Sequence, residues 1–456
     1  MNNQVKINDL ILLTIKRIGI NGEGVGFYKK QTIFVNNALP GEIVEVKVIE
    51  TQDKYAIGEI TKFKAKSEER VEPLCPYYAK CGGCQLQHLS YDGQLQMKKE
   101  LVMESFSRYY DGDLTKLKFN DTIGSIDPWH YRNKSSLPCR HDGENVVVGM
   151  YASNSNHLVY IDRCLVENDI ITKTRDEILK FLSKENIDVY NPRTHTGSLK
   201  YIVIRAFDEK NIQVTFILLK EDKKIIKLLP LLFKKIKVSS INYSVNSDPK
   251  SIEIFGEKVN NVEGKEAIEG NLGGLKFEIS PKAFFQLNTK QTEVLYDEIK
   301  KACRLTGNEN VLDCYCGIGS IGMYLANGAK EVRGIDTNKD GINDANRFAK
   351  INNIKNAKFY SGNILPHLYQ FEEEGFTPDI VVVDPPRKGL ELNIINYFKK
   401  KKVKKIIYVS CNPATLAKNI NHLQKEYIIR SIQPVDMFPQ TANVESVCCL
   451  VSRMWF

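Results

Sequence analysis

The chain has no apolar run long enough to cross a bilayer. About 18 consecutive residues are needed, and the longest stretches, such as Ile225 to Phe233, are broken by Lys227 and Pro230. Met1 to Leu10 show no basic segment followed by an apolar one, so no secretory leader is expected. There is no internal repeat and no low-complexity tract. These absences argue against a membrane protein, a secreted disulfide mini-domain and a disordered chain. What is present is an ordinary mixture, 42% hydrophobic and 26% charged residues in a chain of 456. At roughly 150 residues per domain this suggests about three domains. The net charge is +9, from 64 Lys and Arg against 55 Asp and Glu. That surplus suits an anionic partner such as nucleic acid, because each phosphate neutralised releases counterions, although a basic surface with no ligand would give the same balance. The lysine run Lys399 to Lys402, continued by Lys404 and Lys405, reads as a solvated face. The 11 cysteines, an odd number, point to a reducing cytoplasm, where clustered cysteines favour metal binding or catalysis.

Residues 1–66 read as short strands, Ile11 to Ile18, Thr32 to Val35, Ile43 to Ile49 and Tyr55 to Phe63. Turn signals separate them at Asn21-Gly22, Gly24, Gly26 and Pro40-Gly41. This spacing predicts a small all-β barrel of the OB type, on which Phe27, Tyr28 and Phe34 are either core or base-stacking residues. Next comes Cys75-Pro76-Tyr77-Tyr78-Ala79-Lys80-Cys81-Gly82-Gly83-Cys84, a C-x5-C-x2-C pattern. Three thiolates in a Pro- and Gly-punctuated loop can converge on one centre, with Cys164 as fourth ligand and Cys139 as its competitor. Spacing leaves a [4Fe-4S] cluster and tetrahedral zinc open. Residues 67–275 then predict a central α+β domain, with a helix over Tyr91 to Tyr109. Its strands are expected around Tyr131 to Arg140, Val146 to Tyr151, Tyr201 to Phe207 and Asn211 to Leu219. Arg132, Lys134 and Arg140 either touch substrate or solvate an edge.

Residues 276–456 alternate strand, turn and helix, which predicts a doubly wound α/β sheet of Rossmann-like type. The strand Asn310 to Cys314 runs into Tyr315-Cys316-Gly317-Ile318-Gly319, where glycines let a ligand approach the backbone. Asp336 ends the next strand, 19 residues after Gly317, where a carboxylate can accept hydrogen bonds from ribose hydroxyls. Two further loops leave the carboxyl ends of strands, Asp384-Pro385-Pro386-Arg387 and Ser410-Cys411-Asn412-Pro413. Prolines stiffen the first. In the second, Cys411 at a strand-to-helix junction is read as a nucleophile, with amides and the helix dipole favouring its thiolate.

With Phe284-Phe285-Gln286-Leu287-Asn288 before them and Asp436-Met437-Phe438-Pro439-Gln440-Thr441-Ala442-Asn443-Val444-Glu445 after, these motifs stand in the order found in a known family. The chain resembles the S-adenosylmethionine-dependent RNA 5-methyluridine methyltransferases over essentially its whole length. Its N-terminal barrel resembles their TRAM domain, and Cys75, Cys81, Cys84 and Cys164 resemble the [4Fe-4S] site of the 23S ribosomal RNA members. The resemblance implies that Gln286, Tyr315, Asp336 and Asp384 bind S-adenosylmethionine, that Cys411 is the nucleophile and that Glu445 is the general base. Carbon 5 of uracil is a poor nucleophile until a thiolate adds at carbon 6, and a base must then remove the carbon 5 proton. A histidine frequent in the last motif is replaced here by Gln440 or Ala442, which is expected to affect packing more than chemistry. An amino-methylating enzyme would place an aromatic after Asp-Pro-Pro, and a cytosine carbon 5 enzyme a cysteine; here Arg387 follows. Because transfer-RNA members generally lack barrel and cluster, the expected substrate is 23S ribosomal RNA. Transfer RNA and a non-catalytic RNA-binding or ribosome assembly factor remain the alternatives.

Overall fold

Alternation of exposed and buried residues along Leu10–Ile18 (β1) marks a strand with one face in a core. It is joined by Gly24–Tyr28 (β2), Gln31–Val35 (β3), Ile43–Thr51 (β4) and Tyr55–Ala65 (β5). The computed structural model describes residues 5–143 and 145–455; Met1 to Gln4, at the start of the expected barrel segment, lie outside it. The five strands form a closed barrel in the order β1-β2-β3-β5-β4, with β1 also paired to β4. Leu13, Ile15, Ile33, Val35 and Val46 fill its interior. Gly24 and Gly26, expected as turn residues, instead belong to β2. A side chain at Gly24 would meet the Ala38 carbonyl at 2.7 Å, so the glycine lets the loop between β3 and β4 approach β2 closely and does not make a turn. Phe27 is exposed, whereas Phe34 packs edge-on against Tyr55.

Ser90 caps helix Tyr91–Tyr109 (α1) by accepting a hydrogen bond from the Gly93 amide at 3.0 Å. After it, Lys134–Asp142 (β6), Asn145–Tyr151 (β7), Leu158–Tyr160 (β8), Leu199–Asp208 (β9), Asn211–Leu218 (β10), Ser240–Val245 (β11) and Val259–Gly264 (β12) make a seven-stranded sheet, ordered β12-β11-β10-β9-β6-β7-β8. Helices Asp169–Leu182 (α2) and Lys223–Lys235 (α3) bury Ile171, Ile178, Leu229 and Leu232 against it. A hairpin follows, Ile268–Leu272 (β13) and Leu275–Ile279 (β14). Its two-residue loop puts Gly273 and Gly274 at φ +56° and +82°, the geometry that matches strand twist.

The last sheet is built from Asn310–Cys314 (β15), Glu331–Asp336 (β16), Ala357–Ser361 (β17), Ile380–Val383 (β18), Lys405–Ser410 (β19), Tyr427–Val435 (β20) and Glu445–Ser452 (β21). The order is β17-β16-β15-β18-β19-β21-β20, with β15 to β19 parallel and β21 antiparallel to both its neighbours. Its helices are Thr289–Cys303 (α4), Ser320–Ala326 (α5), Lys339–Ile351 (α6), Ile364–Glu373 (α7), Leu392–Lys401 (α8) and Pro413–Leu423 (α9). Adjacent residues of β15 enter different cores: Val311 packs with α4 to α6, and Leu312 with α7 to α9. The sheet is therefore covered on both faces, which explains its uninterrupted apolar strands. Strand order reverses between β15 and β18, and the crevice that opens there is where α/β sheets take ligands.

Helix α1 lies within the stretch expected to form the central domain, yet Val102 and Phe106 pack into the core of the last sheet. Phe119 and Ile123 continue the attachment as bridges to Ile432 and Val435 of β20. At the centre of this contact Lys98 and Asp436 form an ion pair with both side chains fully buried. Lys98 also donates to the Phe438 carbonyl at 3.1 Å, and Tyr91 donates to Asp436 at 2.9 Å. Removing one partner of such a pair strands the other charge. Lys98→Met is expected to lower unfolding free energy by ~3–5 kcal/mol, read by denaturant titration, and Lys98→Met/Asp436→Leu to recover most of it. Equal stability for the single and wild-type proteins would refute this.

Candidate active site

Four loops at the carboxyl edge of the last sheet meet at the switch point. The first leaves β15 with Tyr315 at φ +63°, a left-handed conformation a tyrosine adopts only at a cost. Gly317 and Gly319 follow at φ +53° and +74°, and a side chain at Gly319 would lie 2.6 Å from the Phe359 ring. Gly319 thus lets the loop pack closely on Phe359, whereas a side chain at Gly317 would meet nothing within 4 Å, so the backbone there is open. Asp336, at the end of β16, shapes this loop: one carboxylate oxygen accepts from the Gly317 amide at 3.0 Å, the other from the Asn338 amide at 2.8 Å. Behind it, buried Asp313 accepts from the Gly322 amide at 2.8 Å, while its second oxygen has no hydrogen-bond partner among the described residues. Burial, with Asp384 and Asp336 nearby, pushes the Asp313 carboxyl up to about 8.

The loop after β18 presents Asp384, which burial pushes up to about 6. Its backbone is tied to the start of α9, since the Arg387 carbonyl accepts from Asn412 at 3.2 Å and from Thr415 at 3.0 Å. Asn412 caps α9, and Cys411 stands half-buried just before it. In the antiparallel ladder of β19 and β21 the last pair is Ser410 with Ser446. Continued by one position, this register sets Cys411 opposite Glu445. Burial first, then the Glu445 and Asp384 carboxylates, raise the Cys411 thiol above its ordinary value, with Arg387 opposing. Glu445 is raised well above the usual carboxylate range by burial and by Asp384, again against Arg387. The expected thiolate-favouring field at Cys411 is thus outweighed in the free protein: two carboxylates and desolvation count for more than one exposed guanidinium and a helix end.

Asp336, Asp384 and Glu445 outnumber the one guanidinium of Arg387 at this crevice, with Asp313 buried behind them, surroundings suited to a cationic ligand. Gln286 comes from a fifth segment, the loop between β14 and α4. Its carbonyl is held by the Asn133 side chain at 2.9 Å, and α4 reaches the crevice through Tyr296, whose hydroxyl lies 2.7 Å from that of Ser320. Sequence reasoning missed Asp313 and Arg387. The first reads as an ordinary strand residue, and the second was weighed only for what it excludes.

The tRNA (uracil-5-)-methyltransferase family matches residues 90–453, most of the chain. The chain belongs to that family. The TRAM domain matches residues 4–61, the closed barrel. A protein of Bacillus cereus described as an uncharacterized RNA methyltransferase is 41% identical, over 99% of this chain and 98% of its own. One of Halalkalibacterium halodurans with the same description is 42% identical over 96% of each. Among solved structures, the Pyrococcus abyssi tRNA (uracil-54, C5)-methyltransferase in complex with S-adenosyl-L-homocysteine is 28% identical. It superposes with a TM-score of 0.76 over 97% of this chain and all of that one. This uracil-5-methyltransferase is accordingly an S-adenosylmethionine-dependent RNA methyltransferase. The match to the Pyrococcus enzyme extends over the barrel, so the barrel does not separate ribosomal from transfer-RNA substrates as expected from the sequence. No helix among the described residues is long and apolar enough to cross a membrane.

Cys75, Cys81 and Cys84 lie half-buried in the loop before α1, and Cys164 half-buried after β8. Their thiols interact. Burial, then Cys81 and Cys75, push Cys84 up to about 11, and burial, Glu167 and Cys84 push Cys164 up to about 12. Cys139, the competitor, is instead sealed in the central core with its thiol 3.7 Å from the Leu137 carbonyl. No group of three or more His, Cys, Asp or Glu among the described residues is drawn together closely enough to hold a metal ion. The loop is tied to the segment before β21: the Gln85 and Leu86 amides both donate to the Gln440 carbonyl at 3.0 Å, five residues before Glu445. Gln440 is buried and exchanges two hydrogen bonds with Gln94 of α1, at 3.0 and 2.9 Å.

Proposed function

We propose that this enzyme methylates carbon 5 of a uridine in folded RNA, with 23S ribosomal RNA as substrate, through a covalent adduct to Cys411 and proton removal by Glu445. The register that opposes these two side chains at the mouth of an acidic crevice carries the reading. Gln286, Tyr315, Asp336 and Asp384 would hold S-adenosylmethionine, Asp336 by its ribose. The glycine-lined approach after β15 and the surplus of carboxylates fit a cationic adenosine-bearing ligand, which supplies an electrophilic methyl group. The Cys411 thiolate adds to carbon 6 of the uracil, and the electron pair displaced makes carbon 5 nucleophilic. Once carbon 5 carries the methyl group, Glu445 takes its proton and the carbon–sulfur bond breaks, returning the thiolate. A uridine in a duplex cannot reach Cys411, so the base must flip out of its stack. On this reading 1–66 is an RNA-gripping barrel, 67–275 a central domain and 276–456 the Rossmann-like catalytic domain, working in the cytoplasm.

Cys75, Cys81, Cys84 and Cys164 are proposed as ligands of a [4Fe-4S] cluster with a structural or RNA-positioning role. Four half-buried thiols, three of them in one Pro- and Gly-punctuated loop, are a donor set that loses its protons to a metal. Anaerobically purified protein should contain iron and sulfide in equal amounts, about four of each; stoichiometric zinc without iron would refute it. Transfer RNA is the second reading, favoured by the full-length similarity to the Pyrococcus enzyme. The deciding experiment offers 5-fluorouridine-substituted 23S ribosomal RNA fragments and substituted transfer RNA in parallel, with S-adenosylmethionine. A denaturant-stable adduct on ribosomal RNA supports the first reading; an adduct on transfer RNA alone keeps the mechanism and reverses the substrate.

A further inference from the structure

A second concave site lies on the far side of the Gln286 loop. It is a cavity of about 290 Å³ between the central sheet and residues 282–287, lined among others by Arg132, Lys134, Arg205, Lys282 and Phe284. Lys134 and Arg205 are directly opposed in the β6–β9 ladder. Like charges at that position destabilise a sheet, and here the cost is increased by burial, since Arg205 is only 2% exposed. The Arg205 Nη2 donates to the Ala283 carbonyl at 2.8 Å, but Nε and Nη1 have no hydrogen-bond partner among the described residues. No ion pair among the described residues involves Lys134, Arg205 or Lys282. Burial, Arg205 and Arg132 push the Lys134 ammonium down to about 8. Arg132 acts on the Glu167 carboxylate. Lys282 spends its ammonium on the Gly256 and Glu257 carbonyls, at 3.0 and 3.1 Å, bracing the wall.

A buried guanidinium with two unpartnered donors beside an opposed ammonium is a donor set suited to an anion. We propose that this cavity seats one phosphodiester of the substrate RNA, close to the flipped uridine, with Lys134 and Arg205 as its ligands. The inference rests on the reading of the chain as an RNA uracil-5-methyltransferase that acts through Cys411. Its place follows from the chain: Asn133, adjacent to Lys134, holds the Gln286 and Leu287 backbone, the amide donating to the Leu287 carbonyl at 2.9 Å and the side chain to Gln286. A phosphate gripped here therefore abuts the same loop that borders the cofactor crevice. Phe284, 74% exposed at the rim, gives a neighbouring base a surface to rest on.

The test uses full-length protein and whichever RNA forms the 5-fluorouridine adduct. Lys134→Met removes the charge at a half-buried position and keeps the apolar stem. It should raise the RNA KM roughly tenfold, reduce the slope of log affinity against log salt by about one, and leave S-adenosylmethionine affinity at the wild-type value. Lys134→Arg should restore RNA affinity. A single methylphosphonate linkage within two nucleotides of the target uridine should weaken wild-type binding to a similar extent and have little further effect on Lys134→Met. Wild-type affinity and salt slope in Lys134→Met, or no linkage whose neutralisation is masked by it, would overturn the proposal. So would a loss confined to S-adenosylmethionine affinity, which would give the site to the cofactor's carboxylate. Adduct formation with none of these couplings defeats the phosphate site alone; absence of any adduct defeats the functional reading beneath it.

Discussion

Cys411→Ala is expected to abolish methyl transfer, with turnover reduced by ~10⁴ or more, while RNA and S-adenosylmethionine still bind. Deleting a covalent nucleophile removes the step that makes carbon 5 reactive, and residual rate then comes from binding alone. The substitution is small, at a half-buried loop position outside the strand ladder, so the fold should persist. Fluorine at carbon 5 cannot leave as a cation, so the wild-type enzyme should stall as a denaturant-stable protein–RNA adduct, and Cys411→Ala should form none. Undiminished methylation in the variant would end the mechanistic proposal and leave another nucleophile to be found. No adduct with the wild type, with cofactor and RNA both bound, would favour the non-catalytic factor.

Glu445→Gln should fail at a different point. The thiolate can still add and the methyl group can still move, but the carbon 5 proton has no acceptor. Steady-state kcat should drop ~10²–10⁴-fold, and a methylated covalent intermediate should accumulate on ordinary uridine RNA, visible on denaturing gels without fluorine. Loss of activity with no such species would place Glu445 before, and not after, methyl transfer. The pH dependence has a definite sign. Glu445 and Cys411 both stand raised above their ordinary values, and each works only when deprotonated. Single-turnover rate should therefore climb with pH through the neutral and mildly alkaline range, and the Gln variant should lose one ionisation from that rise. A flat wild-type profile would contradict the geometry, because two carboxylates crowd the thiol against one guanidinium.

The loops that carry the candidate residues were legible because each is short and marked by its composition. Tyr315 to Gly319, Asp384 to Arg387 and Ser410 to Pro413 all follow apolar strands, and local spacing is enough to put such loops at one edge of a parallel sheet. Helix α1 was read at its true bounds from its sequence alone, Tyr91 to Tyr109. Its docking was not, since nothing local tells Val102 and Phe106 to join the core of a sheet formed more than 200 residues later. The β2 strand was hidden by Gly24 and Gly26, which signal turns by composition, whereas here they make room for the Ala38 and Thr14 carbonyls that pack against β2.

By itself, then, the sequence determined the family, the barrel, the α/β catalytic sheet and the identity of the candidate nucleophile and base. The tertiary structure decided three things that depend on partners distant in the chain. The ladder of β19 and the reversed β21, ending at Ser410 and Ser446, brings the loop that carries Cys411 to the end of β21 that carries Glu445. Burial among Asp313, Asp384 and Glu445 turns the local preference for a thiolate into a raised thiol pKa. The β6–β9 pairing brings Lys134 beside Arg205, two cations 71 positions apart whose meeting no spacing rule encodes. The physical reason is common to all three. Loop composition is written locally, whereas charge and burial are properties of what folds against it.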